Sequence, residues 1–195
     1  MSSQGQPYTD EKPPETTRRK VVAAHFLSID GVAEAPDRFF TAWDDEVDFS
    51  GEALIATQDA VILGRRSYDE WAEFWPSSDI QPFASFINAV PKYVATSTPL
   101  DREWTNSHVI DGAVVDFVQH LKDQQGGDIG VHASISVTRA LLAAGVVDEL
   151  RLVIAPTIAA SGRRLLDDLP PMKLETIRGT ASPSGYLLVD YRVVR

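Results

Sequence analysis

The stretch Ala60-Val61-Ile62-Leu63-Gly64-Arg65-Arg66-Ser67-Tyr68 decides how this chain is read. Four apolar residues in a row suit a strand covered on both faces, Gly64 permits a sharp turn, and Ser67 then opens a helix predicted to carry Tyr68, Trp71 and Phe74. Strand, glycine turn and helix form the unit of a parallel α/β sheet, in which ligands bind at the strand ends. On these residues a helix N-terminus and the Ser67 hydroxyl would meet one phosphate, and Arg65 and Arg66 a second. A capped helix with two solvated arginines is the plain alternative.

The same alternation extends in both directions. Val21 to Leu27 is a nearly continuous apolar run, a first core strand stopped by the turn-forming Ser28-Ile29-Asp30-Gly31. Asp44, Asp45, Glu46 and Asp48 precede Ala53 to Ala56, an acidic first turn for a helix expected to reach about Thr57. Further on come a short helix through Phe83, Phe86 and Ile87, a strand at Tyr93 to Thr96 and a very short one at Val109-Ile110. Val114, Phe117, Val118 and Leu121 share one helical stripe. Asp128 to His132 is strand-like, Ser134 can cap a helix that Gly145 ends in the left-handed region, and Leu150 to Pro156 is another buried strand. Leu174 to Ala181 and Tyr186 to Val194 flank Ser182-Pro183-Ser184-Gly185, which has hairpin chemistry. The expected fold is therefore α/β: a central mixed, mostly parallel sheet with flanking helices and a C-terminal antiparallel hairpin. Residues 19–195 form one domain, and residues 1–18, poor in apolar side chains, are expected to be a disordered tail.

Composition narrows the function. The 195 residues carry 18 Lys and Arg against 28 Asp and Glu, a formal charge of −10, the wrong sign for a broad nucleic-acid surface. With no Cys there is no disulfide framework or thiolate metal site, and no apolar run approaches a membrane span or a signal peptide. A cytoplasmic protein without membrane or nucleic-acid partners is the expectation. None of the four His has a partner at metal-ligand spacing, so no metal site is predicted; G-x-S-x-G and G-x-G-x-x-G are both missing.

Three other strand ends join Gly64 to Ser67 as candidate sites. Thr96-Ser97 offers hydroxyls to phosphate or ribose, or simply turns the chain. His132-Ala133-Ser134 opens a helix and could bind an anion or only cap that helix. Asp30-Gly31 ends the first strand and is either a pocket-rim acid or a turn.

In order, Ser28 to Gly31, Leu63 to Tyr68, Asn88 with Lys92 to Val94, Trp104 with Asn106-Ser107, Gly127 to Ile129 and Leu141 to Leu150 resemble the dihydrofolate-reductase-like family. The likeness is closest to the reductase domain of the riboflavin-biosynthesis deaminase-reductase and its stand-alone bacterial relatives. Ser161 to Leu165 and the Pro183-Ser184-Gly185 turn complete it, over about residues 19 to 194. The resemblance implies NADPH held across the strand ends and hydride transfer to a C=N or masked carbonyl of a small pyrimidine- or pterin-like heterocycle. Gly64, Arg65, Arg66 and Ser67 then match the segment that holds the cofactor's phosphates, Thr96 and Ser97 the adenine-side loop, and His132, Ala133 and Ser134 the pyrophosphate turn. Asp30 and Asp48 are the candidate acids, each with a structural alternative, turn or helix-dipole partner. Trp43 and Phe40 either shape the substrate wall or pack the loop. A homodimer is also implied. The sequence departs from its relatives at Ala133 and Ala160, where they usually have Gly. We expect Ala133 to keep negative φ, its methyl tolerated; a positive φ would mean strain that Ala133→Gly relieves. The alternative to a reductase is a non-catalytic ligand-binding or structural dimer that has lost the cofactor.

Overall fold

The computed structural model describes residues 18–41 and 44–194. The tail expected over residues 1–18 lies outside them except for Arg18, which pairs with Asp123, and Trp43 lies outside them altogether. The chain runs β1 (Val21–Ser28), α1 (Asp45–Ile55), β2 (Gln58–Gly64), α2 (Arg65–Phe74), α3 (Phe83–Ala89), β3 (Lys92–Ala95) and β4 (Ser107–Val109). It continues with α4 (Val114–Lys122), β5 (Asp128–His132), α5 (Ile135–Ala143), β6 (Glu149–Ala155), β7 (Lys173–Ala181) and β8 (Leu187–Val194). The strands form one eight-stranded sheet in the order β4-β3-β2-β5-β1-β6-β8-β7. The first six in that order pair in parallel, while β8 runs antiparallel to both β6 and β7, as the closing hairpin requires.

Apolar runs in β1, β2 and β5 are explained by burial on both faces. On one face Val21, Ala23, Ile62, Val131 and Leu150 pack against Val118 and Leu121 of α4 and Leu141 and Leu142 of α5. On the other, Val61 and Leu63 meet Tyr68 of α2 and Ile87 of α3. Each large side chain so enclosed contributes ~1.5–3 kcal/mol.

Lys92 is a fully buried cation in this second layer. Its ammonium donates to the Ile87 and Val90 carbonyls at 2.8 and 2.9 Å and lies 4.5 Å from the Trp104 ring centre, and burial pushes its pKa down to about 8. The Trp104 indole N–H donates to Asn88 Oδ1, and Asn88 in turn donates to the Trp75 carbonyl. Asn88, Lys92 and Trp104, three residues that carry the family resemblance, thus close α3 onto β3.

Three local expectations are corrected. The helix after Gly64 begins at Arg65, not Ser67, and Gly64 itself is extended (φ −84°, ψ 161°). What glycine supplies there is closeness: a Cβ would stand 3.4 Å from Val137 Cγ2 of α5. The shortest strand is Ser107–Val109, shifted toward the N-terminus from Val109-Ile110. Ala133 has φ +51°, the left-handed region, against the expected negative value, and Ala160 (φ +63°) shares that geometry.

Asp44 caps α1 by accepting the Val47 N–H at 3.1 Å, and its second oxygen accepts the Ser184 N–H at 3.0 Å from the β7–β8 turn. The Ser184 hydroxyl, which also donates to it, is the main reason its carboxyl lies well below the ordinary carboxylate range. Because the one side chain serves a helix and a hairpin, Asp44→Ala is expected to cost ~1–2 kcal/mol, the upper part of the range for a lost N-cap. Urea denaturation would show it as a lowered midpoint at unchanged slope.

Candidate functional site

A cleft of about 1050 Å³ opens where α1, α2 and the segment 80–83 face the sheet. One end is formed by two strand-to-helix turns, Gly64 to Ser67 and His132 to Val137. They are laced together: the Ser134 hydroxyl accepts the Gly64 N–H at 2.8 Å, and the Ser67 hydroxyl donates to the Ala133 carbonyl at 2.9 Å. Ser134 occupies the N-cap position of α5, yet its side chain makes no capping bond within its own helix. The expected cap is thus spent on the neighbouring turn. The result sets the starts of α2 and α5 side by side, so that their unpaired first-turn N–H groups and positive dipole ends share one end of the cleft.

The arginines at this end are not equivalent. Arg65 donates to both Asp69 oxygens, to Thr98 Oγ1, to the Pro99 carbonyl and to Asp101, which binds α2 to the loop after β3. Its partners consume the fork. Arg66 is exposed and meets Glu34 at 2.9 Å, and Arg163 reaches the same Glu34 oxygen at 2.8 Å. Two guanidinium groups therefore converge on one carboxylate, and hydrogen bonding from Arg163 holds Glu34 below its ordinary pKa. Thr96 and Ser97 lie just beyond Ala95, the β3 residue that lines the cleft; the Thr96 hydroxyl accepts the Thr98 N–H at 3.1 Å.

At the other end the floor is built by Phe26 of β1, Arg151 and Val153 of β6 and Asp190 of β8, and the walls by α1, α2 and residues 80–83. Asp48 reaches this end from α1 and is exposed. Asp30 does not share the cleft lining. Its carboxylate accepts the Ser28 hydroxyl at 2.6 Å and the Ala159 and Ala160 N–H groups at 2.9 and 3.1 Å, so it clamps the end of β1 to the loop after β6. The Ser28 bond, then the backbone donors, keep its pKa below the ordinary value, which favours the anion. Phe40 stacks on Tyr186 at 4.8 Å between ring centres and tilts against Phe26 at 4.6 Å, so it buttresses the floor from behind.

Two histidines in the cleft lining were not singled out together by sequence. His132 lies among Trp71, Phe83 and Phe86, with ring centres 6.3, 5.8 and 6.4 Å away, and Nε2 is 2.8 Å from Gln58 Oε1. His25 Nε2 is 2.8 Å from Thr138 Oγ1. Burial pushes their pKa values down to about 4 and about 3, His25 being lowered further by His132. Both rings are neutral at pH 7. The signal that could have found His25 was present: a lone histidine inside the apolar run of β1.

A parallel sheet that ends in an antiparallel hairpin, with an anion-suited pair of turns opening onto a deep apolar cleft, defines the class of dihydrofolate-reductase-like α/β domains. The chain belongs to the family of the RibD C-terminal domain, whose family model matches residues 19–188. It is 23% identical over 180 residues to the uncharacterised Bacillus subtilis (strain 168) protein YyaP, a match covering 89% of this chain and 95% of that one. Among solved structures, a candidate riboflavin biosynthesis protein from Shewanella sp. PV-4 superposes with a TM-score of 0.72 at 17% identity, covering 90% of this chain and 99% of the other. Dihydrofolate reductase from Enterococcus faecalis, solved with NADP(H), gives 0.59 at 15% identity, covering 90% and 97%. Among the described residues no helix is long and apolar enough to cross a membrane.

Proposed function

We propose that the protein is an NADPH-dependent reductase that passes hydride to a C=N or masked carbonyl of a small pyrimidine- or pterin-like heterocycle. The nearest named activity is the reduction of 5-amino-6-(5-phosphoribosylamino)uracil in riboflavin biosynthesis. The observation that carries this is the laced pair of turns, because it brings two helix N-termini to one end of a cleft of about 1050 Å³. Membership of the family and the likeness to a dihydrofolate reductase solved with NADP(H) support the same cofactor.

The residues present fit that cofactor. Gly64 to Ser67 and His132 to Ser134 would hold the pyrophosphate on backbone N–H groups, Arg66 a further phosphate, and Thr96 and Ser97 the adenine side. Glu34 competes for Arg66 and would yield it to a phosphate. NADPH supplies the hydride when bound, which leaves the chain to orient the ring, exclude water and manage one proton. Apolar walls and the aromatic residues around His132 keep water from the reacting face. Asp48, one of two carboxylates that α1 brings into the cleft, is the group we assign to anchor a ring N–H or relay the proton; Asp30, held as an anion away from the cleft, is assigned to the fold instead.

The test separates the two arginines. Arg66→Ala is expected to weaken NADPH about tenfold and NADH much less, a charge-assisted contact contributing ~1.5 kcal/mol or more. Arg65→Ala is expected to lower the melting temperature while treating the two cofactors alike. Calorimetric titration reads both. Equal weakening of NADPH and NADH by Arg66→Ala would move that residue to the shared pyrophosphate. No binding of NADPH by wild type at millimolar concentration would leave the non-catalytic ligand-binding protein as the better reading.

A further inference from the structure

We infer that the substrate end of the cleft is shaped for a heterocycle with an apolar, unphosphorylated substituent. The inference rests on the reductase reading above and departs from the nearest named activity in the arm the ring carries, not in the ring.

Charge is the first observation. Asp48 and Glu52 of α1 and Glu70 of α2 all line the cleft and are exposed, and none has a cationic partner among the described residues. The positive groups nearby are already engaged, and Arg151 shares its carboxylate with Lys20. Arg151 on the floor donates through Nη2 to Glu149 at 2.9 Å, and Asp190 accepts from Arg178 Nε at 3.1 Å. Among the described residues no lysine lines the cleft, and Arg65, Arg66 and Arg163 stand at the cofactor end with Asp69, Asp101 and Glu34. A phosphate of charge about −1.5 to −2 would face three unpaired carboxylates against one arginine already held by a shared carboxylate. Like charges a few ångströms apart in a partly dry cleft repel strongly.

Apolar surface is the second and independent observation. Phe74 at the end of α2 is 52% exposed and Ile80 is 53% exposed, and both line the same opening beside Leu54, Trp75, Pro82 and Phe83. Large apolar side chains left open at the mouth of a cavity are what a ligand's apolar arm covers. The Arg151 Nε–H, buried without an acceptor, adds an unspent donor in the floor that suits a ring carbonyl.

The experiment titrates NADPH-saturated protein with three uracils that differ only at N1: 1-benzyluracil, uridine and uridine 5′-monophosphate. Expected is the order benzyl tightest, uridine weaker, and the monophosphate at least tenfold weaker than uridine. The double variant Glu52→Lys, Glu70→Lys, at two exposed helix positions, is expected to recover about tenfold for the monophosphate and leave NADPH binding unchanged. The inference is overturned if the monophosphate binds as well as uridine, if benzyl gives no gain, or if NADPH binds and none of the three uracils does. Should NADPH itself fail to bind, the reductase reading is what has failed. Titration without cofactor then still ranks the arms, and a preference for the monophosphate would sink the inference on its own.

Discussion

Lowering the pH from 7 to 5 is expected to remove about 4 kcal/mol of stability, roughly 2 kcal/mol from each of His25 and His132 at about 1.36 kcal/mol per pH unit. The sign follows from where each ring takes its proton. In the unfolded chain both titrate near 6.5, whereas in the folded protein they wait until about 3 and about 4. Between those values the unfolded state binds protons that the native state refuses, so the native state loses ground as pH falls. Carboxylates held below their ordinary pKa, among them Asp30, Asp44 and Glu34, also weaken the fold in acid, but only as pH drops toward and below their ordinary values of 3.8 to 4.5. The window from 6.5 to 4.5 therefore belongs to the histidines. Urea melts at pH 7 and 5 measure the loss, and His132→Phe, which keeps a ring among Trp71, Phe83 and Phe86, should remove about half of it. A stability that stays level across that window would show the two imidazoles to be wetter or better partnered than their burial implies.

These histidines also mark the boundary of what the sequence could show. Periodicity and turn chemistry reveal β1, β2, the α4 stripe and the closing hairpin because each depends on residues adjacent in the chain. A buried imidazole depends on distant ones: His132 takes its neighbours from α2, α3 and β2, over separations that no local pattern encodes. Arg65 makes the same point for the site. A glycine followed by two arginines looks like a phosphate grip, yet Thr98, Pro99 and Asp101, more than thirty residues on, have already taken the fork. Asp30 owes its fixed charge first to Ser28, two residues away, and then to the Ala159 and Ala160 N–H groups, which the parallel pairing of β1 with β6 brings to it. The Gly64 and His132 turns are each legible as strand ends, but that they are neighbours follows from the pairing of β2 with β5, which no local pattern gives. Their lacing by two serines is not legible either, because Ser67 reads as a phosphate ligand or helix cap and Ser134 as an anion site or helix cap, each within its own turn.

That lacing supports the second large effect, a pair of substitutions with opposite signs. Ser134→Ala is expected to destabilise the protein by ~1–3 kcal/mol, since the Gly64 N–H loses its acceptor in a partly buried position. It should weaken NADPH as well, because α2 and α5 are then held by the Ser67–Ala133 bond alone and their N–H groups converge less firmly on one anion. Ala133→Gly works the other way. A left-handed residue with a Cβ carries ~1–2 kcal/mol of strain, while the added glycine gives back ~0.4–1 kcal/mol through a looser unfolded chain, so the net gain is between zero and ~1.6 kcal/mol. The Ala133 carbonyl persists in that variant, so its bond from Ser67 survives and the lacing is untouched. Stability and cofactor affinity then separate two roles for the methyl. If Ala133→Gly raises the melting temperature alone, the methyl is only a backbone cost; if it also tightens NADPH, the methyl stands where the pyrophosphate must approach. A loss of stability in Ala133→Gly, or unchanged NADPH affinity in Ser134→Ala, would contradict the geometry from which both effects are derived.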